Sequence, residues 1–143
     1  MILDAQNNFS EGQALTATAA STNLIDLGID RNIGVGEKLA VMVNVEVAAD
    51  DTTGDETYSV AVQTDDNSSF SSATELGSFS IARGTAAGEK FVFLIPADET
   101  PERYLRVNYT LGGTTPTVTV SAFLMPAAGV DSFYAYNDGF TIS

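Results

Sequence analysis

Two acidic clusters hold the residues of this chain best suited to chemistry: Asp50, Asp51, Asp55 and Glu56 in one stretch, and Asp65, Asp66 and Asn67 in another. Oxygen-rich loops of this kind can hold calcium, which takes about six to eight oxygen ligands. Neither stretch has the EF-hand spacing with its central glycine and terminal bidentate glutamate, so solvated turns are the default reading. No metal and no other cofactor is expected.

Absences narrow the chemistry further. The chain has no cysteine and no histidine. Thiol nucleophiles, zinc-thiolate sites and redox motifs are therefore excluded, along with the commonest general base at neutral pH. Carboxylate pairs act by their separation in space, which spacing in sequence does not reveal. With Lys38 and Lys90 as the only lysine bases, an enzyme is not expected. Gly34-Val35-Gly36 is a lone GxG with no helical pattern after it, which argues against a phosphate cradle.

Charge bears on partners. Nineteen acidic residues against six basic ones leave a formal charge of −13. Docking on a phosphate backbone needs clustered Lys and Arg, so nucleic acid is not an expected partner. The same charge keeps copies soluble and self-repelling, which suits a surface component present in many copies; a generic acidic domain is the plain alternative. Arg103 and Arg106 can pair with a partner's carboxylates or line a solvated strand edge. Tyr58 and Tyr104, if exposed, can stack on sugar rings. No apolar run is long enough for a membrane span and the N-terminus lacks a basic leader, so the expectation is synthesis in the cytoplasm and no membrane partner.

These residues must be positioned by strands. In Arg103 to Met125, Leu105, Val107, Tyr109 and Leu111 alternate with polar residues, as do Val118, Val120, Ala122 and Leu124; the period of two is that of half-buried strands. Gly112 to Pro116 between them predicts a hairpin loop. Leu39–Val47 alternates likewise, with Leu39, Val41, Val43, Val45 and Val47 on the core face. Further strands are expected over a small-residue run from Gln13 to Ala20, from about Thr22 to Leu27, around Tyr58, Val60 and Val62, and from Thr74 to Ile81, where Gly77 marks a bulge. Phe91 to Ile95 is apolar on both faces and must be covered by another element or another chain. Pro96 to Pro101 forms a stiff corner. Short strands at this spacing predict an all-β antiparallel two-sheet sandwich or barrel in a single domain, spanning residues 13–125. Residues 1–12 form an N-terminal arm and residues 126–143 a C-terminal arm. The latter is aromatic rather than purely polar, which suits docking.

Taken together, MILDAQNNFS, TATAASTNLIDLG and RYLRVNYTLGGTTPTVTVSAFLM resemble the small capsid cement (decoration) proteins of tailed bacteriophages, in particular the jelly-roll cement type of Bordetella short-tailed phages. The resemblance runs over nearly the whole chain. It implies a jelly roll on the outer surface of the virion capsid, dimers or small homo-oligomers, and clamping of neighbouring major capsid protein subunits. It carries no catalytic residues. On this expectation the contact residues are Ile2, Leu3 and Phe9 in the N-terminal arm, Phe91 and Phe93, Arg103 and Arg106, and Phe133, Tyr134, Tyr136 and Phe140 in the C-terminal arm. The alternative is a carbohydrate-binding or host-attachment module of a phage tail or surface appendage.

Overall fold

The computed structural model describes residues 8–26, 39–95 and 103–126, and these residues form strands and turns without a helix. The strands are β1 (Asn8–Leu15), β2 (Ala19–Ala20), β3 (Ile25–Asp26), β4 (Leu39–Val47), β5 (Thr57–Asp65), β6 (Thr74–Ile81), β7 (Lys90–Leu94), β8 (Tyr104–Gly112) and β9 (Val118–Pro126). They pair antiparallel in two sheets. Sheet A has the order β1-β9-β4-β7; sheet B has the order β2-β8-β5-β6, with β3 also pairing β8. With β2 and β3 taken as one broken strand, this is the strand order of an eight-stranded jelly roll. The chain passes from one sheet to the other at nearly every connection, and β5–β6 is the one hairpin among the described residues.

Alternation explains the core. Val41, Val43 and Val45 of β4, Tyr58, Val60 and Val62 of β5, Leu105, Val107 and Tyr109 of β8, and Val118, Val120 and Ala122 of β9 are all buried in one cluster. Their β-branched and aromatic side chains interdigitate across the roughly 10 Å between stacked sheets. Phe9, Leu15, Ile25, Ile81 and Ile95 fill its ends and sides.

The stretch from Arg103 to Met125 alternates as expected but does not form a hairpin. β8 pairs with β5 from Thr57 opposite Gly112 to Asp65 opposite Tyr104, whereas β9 pairs with β4 from Leu39 opposite Pro126 to Val47 opposite Thr119. Gly112 to Pro116 is therefore a corner between the sheets. Two apolar faces are satisfied as well by meeting across a core as by lying side by side, and periodicity alone cannot tell these apart. The corner is compatible with the arrangement that pairing with β5 and β4 selects. Gly113 has φ 89°, and a Cβ there would sit 2.3 Å from the Asp55 carbonyl oxygen, so the backbone approaches the β4–β5 loop as only glycine allows.

The boundary of the N-terminal arm also moves. β1 starts at Asn8, and Phe9, expected as a partner contact, is fully buried in the core. The strand was hard to recognise because its register against β9 shifts twice, between Asn8 and Ser10 and again between Ser10 and Gln13, which destroys simple alternation. The small-residue run after it divides between the sheets, ending β1 at Leu15 and forming β2 at Ala19–Ala20. In β4 a register shift between Val45 and Val47 turns Val47 out to solvent, where 58 % of it is exposed. The bulge at Gly77 is where the sequence places it: pairing with β5 jumps from Gly77 to Glu75.

Candidate interaction surface

The acidic clusters are engaged by their own loops. Glu56 is buried and accepts from the Thr53 and Gly54 N–H groups at 2.9 Å each, while Asp55 accepts from the Thr114 N–H at 3.0 Å and its hydroxyl at 2.9 Å. The Thr53 hydroxyl lies 2.6 Å from both carboxylates; its single proton serves one at a time. This hydroxyl, with the backbone N–H groups, holds both carboxyls down to about 2. Asp65 caps the β5–β6 loop, accepting from the N–H groups of Asn67 and Ser72. Burial pushes its carboxyl up, but the Ser72 and Asn67 N–H groups outweigh burial and hold it below the usual range. Asp51 pairs with Arg83 at 3.0 Å. Among the described residues no three acidic side chains converge as a cation site. Asp55 thus joins the β4–β5 loop to the β8–β9 corner, while Asp65 holds its own loop.

The arginines are likewise tied within the fold. Arg103 donates twice to Asp26, Nε at 2.9 Å and a terminal nitrogen at 3.1 Å, which fastens β3 to the start of β8. The Asp26 carboxylate raises the Arg103 pKa further. Arg106 donates to Gln63 at 2.8 Å and lies 4.3 Å over the Phe70 ring. Tyr58 is not an exposed stacking platform: it is buried, and its hydroxyl donates to the Asp50 carbonyl at 3.0 Å. Tyr104 is half-buried beneath the Arg103 guanidinium.

The expected partner strand lies at an edge. β7 pairs with β4 and β6 with β5, so among the described residues each leaves one side unpaired, and the two edges flank the same mouth of the sandwich. Phe91 and Phe93 turn toward the core and are partly buried there, with Leu76 and Phe79 beside them. The Phe79 and Phe91 rings stack at 5.7 Å. Phe93 occupies the space over Gly77, where a Cβ would come within 2.4 Å of its ring. Leu94, on the opposite face, is half-exposed.

The other side of β7 meets a surface that the sequence pattern had assigned to solvent. On the outer face of sheet A, Ala40 stands beside Met125 and Leu94, Met42 beside Phe123 and Val92, and Asn44 beside Ser121 and Lys90. Ala40, Met42 and Met125 are buried, with Val92 and Phe123 packed against them. The signal was present: β4 and β9, like β7, carry apolar residues at both parities at this end of the sheet.

Ile2, Leu3, Lys38, Gly34 to Gly36, the Pro96 to Pro101 corner, Phe133, Tyr134, Tyr136 and Phe140 lie outside the described residues. A family model described as Bbp16, a family named for a Bordetella phage protein, matches residues 9–124. No curated protein matches the chain.

Proposed function

We propose that this chain, which belongs to the Bbp16 family, is a capsid cement protein that binds the outer surface of a tailed-phage head and clamps neighbouring major capsid protein subunits. The observation that carries the reading is the contrast between its polar and apolar groups. Asp26, Asp51, Asp55, Glu56 and Asp65, with Arg83, Arg103 and Arg106, are engaged by partners within the fold, while the β6–β7 mouth holds partly buried aromatic rings beside two strand edges that are unpaired among the described residues. Such a surface suits gripping protein, since an unpaired edge accepts another strand and aromatic rings supply large contact area. On this reading β7 and its neighbours serve self-association. The segments flanking the sandwich, with Ile2 and Leu3 on one side and the aromatic tail on the other, reach onto adjacent capsid subunits. Apolar contact at about 25 cal/mol per Å², repeated over many copies, then resists internal pressure.

Mixing the purified protein with heads that lack it and imaging them by electron cryomicroscopy tests this. Ordered density at repeated sites on the outer surface is expected; bare heads at saturating protein would defeat it. A second reading, carbohydrate binding, draws on the outer face of sheet B, where Ser59, Ser78, Ser80, Asn108 and Thr110 present hydroxyls and an amide on adjoining strands. Glycan-array binding lost in Tyr104→Ala would favour it.

A further inference from the structure

Arg106 is held by neutral groups and by no acid. Its Nε donates to the Gln63 side-chain oxygen at 2.8 Å, and its guanidinium lies 4.3 Å over the Phe70 ring, well within cation–π reach. Among the described residues Arg83 pairs with Asp51 and Arg103 with Asp26, whereas no carboxylate pairs with Arg106. Its terminal nitrogens make no hydrogen bond among the described residues, and neither is shut off from solvent. The outer edge of the guanidinium is thus fixed in direction and left open, and its parallel donors match the paired oxygens of a carboxylate.

The group beneath it is strained. Phe70 is buried with φ 53°, a left-handed conformation that bulky side chains rarely adopt. The β5–β6 loop imposes it: the Phe70 N–H donates to the Asn67 carbonyl at 2.9 Å, and the buried Asp65 carboxylate ties down the Asn67 and Ser72 N–H groups at 3.1 and 2.8 Å. Strain of this kind gathers at places that hold ligands. Beyond Arg106 the outer face of sheet B runs in register. Asn108 stands across Ala61 from Ser78, and Thr110 across Ser59 from Ser80. None of these hydroxyls or the Asn108 amide is bonded among the described residues or shut off from solvent. From Arg106 to Thr110 is about 14 Å along β8, and the three strands span about 10 Å across. Over that area the face offers hydroxyls and an amide rather than the aromatic anchors of a protein interface.

We propose that this face binds a carboxylated sugar, a uronic or sialic acid residue within a glycan, whose carboxylate is gripped by the terminal nitrogens of Arg106 and whose hydroxyls meet Asn108, Thr110, Ser59, Ser78 and Ser80. The proposal rests on the carbohydrate reading above and narrows it to acidic glycans. Glu75 sets a limit on affinity: it stands opposite Gln63 on the same row, about 10 Å from Arg106 at two strand spacings, too far to pair with the guanidinium and near enough to repel an incoming carboxylate.

The full-length protein, applied in 0.15 M salt to an array of uronic and sialic acid glycans, each beside its methyl ester, tests this. Retention on the acids at least about tenfold above that on their esters is expected. Arg106→Gln should abolish the preference, with amide exchange in β5 and β8 unchanged. Arg106→Lys should restore little of it, because an ammonium keeps the charge without the paired donors. A preference that survives in folded Arg106→Gln, or that lysine restores in full, would overturn the proposal. Should Arg106→Gln disturb the Phe70 loop, the exposed Glu75→Gln decides: removing a like charge at about 10 Å should strengthen retention on the acids about twofold and leave the esters unchanged, and no change on the acids would refute it. Acids and esters retained equally by the native protein would overturn the proposal and leave the carbohydrate reading standing; retention of neither would sink both. A hexaglutamate peptide that competes as well as the acidic glycan would overturn it in favour of a protein carboxylate.

Discussion

At the level of single residues, polar groups here serve mainly to hold loops. Asp55 and Glu56 stand out in the sequence as a cluster of oxygens, but the partner that gives Asp55 its role, Thr114, lies 59 residues further on. Spacing could not reveal that pairing. Both carboxyls are held down to about 2, first by the Thr53 hydroxyl, against roughly 4 for such groups in an unfolded chain. A folded value below the unfolded one means that these carboxylates stabilise the fold above about pH 4 and that the contribution is lost as pH falls through about 2. Thr53→Val should therefore lower the urea midpoint most at neutral pH, with the gap from the native protein shrinking toward about pH 2. A gap that stays constant with pH would mean that the hydroxyl acts through something other than these charges. The buried Tyr109 hydroxyl belongs to a similar internal chain, bonded to Ser10 at 2.8 Å while Ser10 donates to Gln13 at 2.7 Å. Desolvation pushes the phenol up to about 12, so it stays a neutral donor over any ordinary pH.

Among the elements, β6 and β7 carry the sharpest dependence of one strand on another. Gly77 was legible as a bulge, since a glycine interrupts an alternating run; that it also makes room for Phe93 was not, because β7 sits in the other sheet. Gly77→Ala should cost about 1–3 kcal/mol in urea unfolding by overpacking that contact. Phe93→Leu in the same chain should recover part of the loss, because the shorter side chain vacates the space. If the two substitutions simply added, the contact would not be the cause. Strand limits were largely readable: β4 and β6 fall where alternation predicts, over Leu39–Val47 and Thr74–Ile81. β1 was not, because its two register shifts against β9 erase the period that would have marked it.

On the scale of the whole molecule, a charge of −13 sets copies against one another. Any self-association through the β6–β7 mouth has to overcome that repulsion. The reach of the repulsion shrinks from about 30 Å at 0.01 M salt to about 8 Å at 0.15 M. Sedimentation velocity should thus show association strengthening as salt rises over this range. Weakening with salt would instead point to an interface made of ion pairs, and would remove β7 from the proposed clamp. On the proposed capsid reading, the same repulsion keeps free copies apart until they settle on a head.

Local patterning determined the class of this protein: period-two alternation of β-branched residues, glycine-marked breaks and the lack of any helical period are properties of short stretches, and each can be read without its neighbours in space. The excess of acid and the missing histidine and cysteine belong to the same kind of knowledge. Which strand lies beside which is of another kind. The arms on either side of Gly112 to Pro116 alternate equally well as a hairpin or as opposite walls of a core, and the wall arrangement was selected by their pairing with β5 and β4, distant in the chain. Tertiary structure likewise decided the fates of Phe9, Tyr58 and Met42, because whether a side chain is wet depends on what stands above it. That is a fact about three dimensions, which alternation along a single strand does not contain.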